Sequence, residues 1–180
     1  MKNNFAKSMG LMGLAILICV TAGLTTLSGQ DMTKENELNE VIQSRTAQSA
    51  NSIVGVWEAT VTPRNCQTGE PLGPSFPSLV TMHEGGTMSE YGANPATPFR
   101  TNGQGFWERG WRGEGSYYQR FVFFRLTPGG IAVGKLKVSQ TAEYNKFTDQ
   151  FTSSGSFELF NPAGVVINTG CSTATAYRFR

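Results

Sequence analysis

The chain has 180 residues, 15 Lys or Arg against 13 Asp or Glu, a formal net charge of +2 and one histidine. Lys2 and Lys7 are the only charges before Gln30, so a chain processed near that point carries 13 groups of each sign. Such a balance gives no support to nucleic-acid binding, which needs a clustered basic face, and no run of Lys or Arg with interleaved aromatics follows residue 30; the lone His83 excludes a histidine-rich metal centre.

In chain order, Lys2 and Lys7 lead into SMGLMGLAILICVTAG (8–23), an apolar run short for a membrane span and of the size of a secretory signal core. Small residues at Val20-Thr21-Ala22 and at Ser28-Gly29 offer two cleavage sites, so residues 1–29 are expected to be a signal peptide. A lipid anchor on Cys19 and an uncleaved tether are the alternatives, the first disfavoured by the bulk of Ile18 where lipidation wants a small residue. The expected location is therefore secreted or periplasmic, with no stable membrane insertion after cleavage. Residues 30–51 are polar and lack aromatics; Leu38, Val41 and Ile42 at helical spacing allow one short amphipathic helix in an otherwise linker-like stretch.

The folded domain is expected over 52–180. Turn signals recur at HEGG (83–86), RGEG (112–115), TPGG (127–130), YNKF (144–147) and NPAG (161–164), all rich in residues that favour reversal of the backbone. Between them lie eight strand-like stretches, near 53–62, 76–83, 87–91, 105–111, 116–126, 131–144, 147–160 and 164–179. Two longer loops, 63–75 and 92–104, interrupt the series. Short connections join only antiparallel neighbours, and eight strands suffice to close a sheet around side chains or one small ligand. The fold class is thus all-β, an eight-stranded antiparallel up-and-down barrel. Alternation supports it: Ile53, Gly55, Trp57, Ala59 and Val61 oppose Glu58, Thr60 and Thr62, while Ala132, Gly134, Leu136 and Val138 oppose Lys135 and Lys137. The fifth strand, YYQRFVFFRL, is apolar on both faces, so its inner face stays open; the N-terminal helix is one candidate to cover its outer side.

Loss of Cys19 with the signal leaves Cys66 and Cys171, and export favours their oxidation to one disulfide. If first and last strands pair antiparallel through that bridge, opposed residue numbers sum to about 237. Trp57 then meets Arg180, with Arg178 the nearest alternative. A guanidinium on an indole face contributes roughly 0.5–2 kcal/mol and would close one barrel end.

Gly55-Val56-Trp57 opening the first of eight meander strands, with Arg178 or Arg180 on the last strand to cover the indole, resembles the lipocalin/calycin group. FPSLVTMHEGGTMSEYG, GQGFWERG and FVFFRLTPGGIAVGKLKV look like secreted bacterial lipocalin-like domains, a resemblance that implies a barrel and no particular activity. The chain departs from typical lipocalins in having no evident helix after the last strand. Avidin-like barrels share the first-strand Gly-x-Trp, but the tryptophan-rich later strands of a biotin cup are missing, Trp107 and Trp111 being the only others.

Few residues offer chemistry. GGIAVGK (129–135) matches a phosphate-loop spacing, but Leu136 stands where Ser or Thr would hold magnesium, and the segment is an alternating strand. No Gly-x-Ser-x-Gly elbow occurs, and His83 sits in a turn. No cofactor, metal or nucleic acid is expected. The expected partner is a small hydrophobic or amphipathic molecule inside the barrel. Met82, Met88, Phe106, Tyr117, Phe121 and Phe123 would form apolar walls, since aromatics and adaptable methionines exceed what a narrow core must hold. Tyr91, Arg100 and Glu108 would supply selectivity, and Phe99 with Arg100 would sit on the 92–104 loop as a lid opposite Trp57. The alternatives are a cavity enzyme (isomerase, cyclase or hydrolase) using Glu108 with Tyr91, and a packed barrel serving as an envelope interaction module.

Overall fold

A computed structural model describes residues 34, 36–41 and 52–180. Residues 1–29, expected to be a signal peptide, lie outside the described residues together with the two expected cleavage sites and Cys19, as does most of 30–51. Residues 36–41 are helical, with Leu38 and Val41 exposed. Among the described residues no helix is long and apolar enough to cross a membrane.

Eight strands follow: β1 (Gly55–Arg64), β2 (Phe76–Met82), β3 (Thr87–Gly92), β4 (Gly103–Arg109), β5 (Ser116–Leu126), β6 (Ala132–Asn145), β7 (Gln150–Phe160) and β8 (Val166–Arg178). Each pairs antiparallel with its neighbour in sequence, and β1 pairs with β8 to close an up-and-down barrel of calycin-like shape. Asparagine side chains set where two strands begin. Asn145 Oδ1 accepts from the backbone N–H of Phe147 and Thr148, holding 146–149 as a turn, so β7 starts at Gln150 rather than near 147. Asn161 Oδ1 accepts from Val165 N at 2.9 Å, and β8 starts at Val166.

The inner faces of β1 and β6 are those the alternation indicates, with Trp57, Ala59, Gly134 and Val138 buried. The ambiguous β5 is resolved by its register with β6, where Gln119 faces Gln140, Phe121 faces Val138 and Phe123 faces Leu136. Tyr117, Gln119 and Phe123 are consequently buried, while Arg120, Val122 and Phe124 are exposed.

The register at the seam corrects the expected sum of 237. Trp57 opposes Arg178 and Arg64 opposes Cys171, a sum of 235. Cys66 lies two residues beyond the end of β1 and reaches Cys171 from the loop, with Cα atoms 5.2 Å apart, so the disulfide is no rung of the ladder. A slip of two residues keeps every side chain on its face, so an arginine still covers the tryptophan. It is Arg178; Arg180 lies past the strand with its side chain 81% exposed.

The packed core occupies the end where β1 starts. Ile53, Trp57, Met82, Phe151, Ala142 and Ala176 are essentially sealed from solvent there, with Tyr144 and Tyr117 in the same cluster. The ring of Trp57 meets Phe151 edge-on at 5.0 Å and Tyr144 at 5.8 Å.

Candidate functional site

The Gly-x-Trp at the start of β1 builds the closed end. Gly55 has φ +142°, and a Cβ there would overlap Nη1 of Arg178, so glycine is required both by the backbone and by the close approach of the guanidinium. That guanidinium lies 4.2 Å from the Trp57 ring centroid. It donates from Nη1 to Val54 O at 2.7 Å, from Nη2 to Ser52 O at 2.8 Å and from Nε to Asp149 Oδ1 at 2.7 Å. Trp57 Nε1 donates to Ile53 O at 2.9 Å. Burial alone raises the Asp149 carboxyl, but hydrogen bonds and charge from Arg178, with help from Tyr144 and Arg180, outweigh it and hold the group below its ordinary value. Burial pushes the Tyr144 phenol upward, and the neighbouring Asp149 charge adds to this against the opposing pull of Arg178.

Above the packed end the barrel is hollow. A cavity of about 470 Å³ extends toward the other end, where the loops 65–75 and 93–102 contribute Leu72, Pro74, Pro95 and Ala96 to its wall. Its sides are mainly apolar: Val61 and Val80 from the early strands, Phe121 and Phe123 from β5, and Leu136 and Phe157 from β6 and β7. Because loops after odd-numbered strands share one end of a meander, both long loops rim the mouth, opposite Trp57.

One charged pair lies in the wall. Glu90, on β3, and Arg100, from the 93–102 loop, have side chains only 6% and 4% exposed and form a two-pronged salt bridge, Nη2 to Oε2 and Nη1 to Oε1. Ser78 Oγ donates to Glu90 Oε1 at 2.8 Å, Arg100 Nε donates to Thr101 O at 3.1 Å, and the guanidinium carbon lies 3.4 Å from the Phe123 ring centroid. Two glycines make room. A Cβ on Gly92 would stand 2.8 Å from Glu90 Oε1, and one on Gly103 2.9 Å from Oε2. These are the strand neighbours across which the carboxylate lies, with Glu90 opposite Gly103 in the β3–β4 ladder. A buried ion pair needs its remaining hydrogen-bonding capacity satisfied, and here Ser78, Thr101 O and an aromatic face meet that need.

A second, uncharged polar patch lies across β5 to β8. Gln119 Nε2 donates to Gln140 Oε1 at 2.7 Å, Ser153 Oγ donates to the same oxygen at 3.2 Å, and Gln140 Nε2 donates to Ser172 Oγ at 3.0 Å. All four side chains line the cavity.

Of the residues expected to line the cavity, Met88, Arg100, Phe121 and Phe123 are on its wall. Met82 and Tyr117 instead belong to the packed cluster at the closed end, because each lies toward the Trp57 end of its strand. Tyr91 and Phe106 are 49% and 46% exposed, and Glu108 is exposed on β4. The physical reason is strand parity: Met88 and Glu90 point inward on β3, so Tyr91 points out. On β4 the inward positions are Gly103, Gly105 and Trp107, leaving Phe106 and Glu108 outside. Phe99 is on the rim loop but exposed, its carbonyl accepting from Leu126 N. Glu108 and Tyr91, the expected acid–base couple, therefore do not meet in the cavity. Glu90 is legible in the sequence only as one strand carboxylate among others such as Glu108, and Gln119, Gln140, Ser78, Ser153 and Ser172 carry no signal along the chain that marks them as cavity residues. Glycines at 92 and 103, flanking the segment that carries Arg100, were the one local sign that something bulky and polar needed space there. His83 stays in its turn, its carbonyl accepting from Trp107 Nε1 at 3.0 Å.

Comparisons of the chain with protein-family models, with curated proteins and with solved structures return no match.

Proposed function

We propose that this is a secreted or periplasmic binding protein of lipocalin type that holds one small hydrophobic or amphipathic molecule in its barrel. The observation that carries the reading is the cavity of about 470 Å³, apolar over most of its wall and lined by a few convergent polar groups, which is the size and make-up of small-molecule sites. The 93–102 loop acts as the lid, fastened to the wall by Arg100 on Glu90. Met88, Phe121 and Phe123 provide contact surface. The apolar run at 8–23 and the Cys66–Cys171 bridge support passage into an oxidising compartment. A cavity enzyme would need a free acid–base pair inside, whereas Glu108 and Tyr91 face outward and Glu90 is engaged by Arg100. A packed interaction module would leave no such volume.

The test is uptake of the uncharged fluorophore N-phenylnaphthylamine, run beside native mass spectrometry of protein purified from its producing cells. Saturable uptake at one molecule per chain is expected, together with its loss in Ala174→Phe, which projects a ring into the cavity while leaving the far-UV spectrum intact. Absence of uptake, or undiminished uptake by Ala174→Phe, overturns the reading.

A further inference from the structure

We propose that the closed end of the barrel docks on the surface of an anionic lipid bilayer through three exposed aromatic residues, each beside a cation in the sequence: Trp111 with Arg112, Phe147 with Lys146, and Phe179 with Arg180. The mouth then faces away from the membrane, into the aqueous phase.

Connections after even-numbered strands gather at the Trp57 end, opposite the mouth. Trp111 lies in the β4–β5 connection, Phe147 in the β6–β7 turn, and Phe179 follows β8. They are 79%, 88% and 57% exposed, and the first two are the most exposed large hydrophobic side chains among the described residues. Single exposed hydrophobics are ordinary on a protein surface, but these belong to one arc. Glu114, in the Trp111 loop, binds Lys146 at 3.0 Å, and Asp149, in the Phe147 turn, binds both Arg178 and Arg180. Backbone donors fix all three segments: Gly110 N donates to Ser116 O at 2.8 Å, Phe147 N to Asn145 Oδ1 at 2.9 Å and Phe179 N to Val56 O at 2.9 Å. Docking therefore needs little further ordering of the chain.

The chemistry of the arc selects the partner. The Arg112 guanidinium carbon lies 5.5 Å from the Trp111 ring centroid and Lys146 Nζ 5.7 Å from that of Phe147, so these two cations accompany their rings. Segments 110–115, 146–149 and 178–180 carry four cationic side chains, Arg112, Lys146, Arg178 and Arg180, against two acidic ones, Glu114 and Asp149. Counting Arg109 and Glu143 beside the arc leaves the surplus at two. A bilayer interface favours this arrangement, because rings settle among the headgroups while neighbouring cations meet anionic lipid. The mouth end has no such pairing. Its loops 65–75, 93–102, 127–131 and 161–165 expose Leu72, Ile131 and Val165, and their only charged side chains are Glu70 and Arg100, the latter buried on Glu90. An anionic surface is thus drawn to the closed end, and the entrance to the cavity stays clear of it.

The experiment is co-sedimentation of the protein, purified from its producing cells, with vesicles of phosphatidylcholine alone or of phosphatidylcholine and phosphatidylglycerol in equal parts. Binding to the mixed vesicles should be at least about tenfold tighter than to phosphatidylcholine, and should weaken at least about tenfold between roughly 0.05 M and roughly 0.5 M salt, as screening shortens the reach of the cations. Trp111→Ser combined with Phe147→Ser should lower the mixed-vesicle affinity by at least about tenfold, since two rings then leave the interface. Leu72→Ser combined with Ile131→Ser, at the mouth, should leave it unchanged. Far-UV spectra check that both pairs stay folded. The inference is overturned if the mixed vesicles bind no better than phosphatidylcholine, a comparison that needs no variant. It is equally overturned if the Trp111 and Phe147 pair binds as the native protein does, the result expected were a retained apolar run at 8–23 the anchor, or if the mouth pair loses as much as the closed-end pair. Dye uptake, measured without vesicles, is a separate readout, so failure here and failure of the binding reading are distinguishable.

Discussion

Arg178 on the last strand stacks over Trp57 on the first, 4.2 Å from the ring centroid, and the same guanidinium binds the carbonyls of Ser52 and Val54 and the carboxylate of Asp149. One side chain thus ties the entry of the barrel, its closing seam and the β6–β7 turn. Trp57→Ala should cost about 3–5 kcal/mol, the range for deleting a fully buried aromatic. Arg178→Ala should cost at least about 2 kcal/mol through its charge-assisted hydrogen bonds, and Arg180→Ala less than about 1 kcal/mol, since that side chain is in solvent. Urea unfolding followed by tryptophan fluorescence measures all three; equal costs at 178 and 180 would contradict the observed register.

Asp149 gives the closed end a pH dependence. Its folded carboxyl titrates below the ordinary value of 3.8, so the stability it contributes is fully present above about pH 4 and is lost as pH falls through the lower, folded value. Asp149→Asn should lower stability at neutral pH and flatten the acid limb of the stability curve. Tyr144, whose phenol is raised above 10.0, contributes in the opposite sense: its share is complete below pH 10 and fades as pH rises through the folded value. Tyr144→Phe should flatten the alkaline limb while leaving the acid limb in place. Melting temperatures across the pH range check both.

Glu90 and Arg100 should behave as a unit. Removing either partner alone leaves a buried charge, so Glu90→Gln and Arg100→Met should each destabilise by about 3–5 kcal/mol. The double substitution should cost clearly less than the two together, and a double-mutant cycle in urea reads the difference. Additive costs would mean that the two groups do not depend on each other.

The Cys66–Cys171 bridge joins positions 105 residues apart. Chain-entropy reasoning for a loop of that size gives about 4–5 kcal/mol, with measured bridges commonly about 2–4. Replacing both cysteines by alanine should lower the unfolding free energy by about 2–4 kcal/mol and leave the barrel's far-UV spectrum unchanged, because the ladder between β1 and β8 stands without the bridge. A change in that spectrum would show that the bridge sets the register.

What was legible in the sequence is what local chemistry dictates. Alternation in β1 and β6, Gly- and Asn-bearing turns and two paired cysteines determined the eight-stranded meander, and Gly55-Val56-Trp57 announced a plugged end. These signals are short-range: a turn residue acts on its own backbone, and a strand's wet and dry faces repeat every second residue. The tertiary structure alone decided which arginine covers Trp57, since Cys66 bridges from beyond the ladder and the register slips by two. It also decided that Glu90 turns inward while Tyr91 and Glu108 turn out. For Glu90 and Tyr91 hydrophobicity argues for the reverse, and only the arrival of Arg100 and Ser78 from elsewhere in the chain makes a buried carboxylate tolerable. The polar patch of Gln119, Gln140, Ser153 and Ser172 was invisible for the same reason: each residue is an ordinary strand polar group until the registers of three successive strand pairs bring those side chains together on the inner face. Partners brought together by cross-strand register have no pattern along the chain.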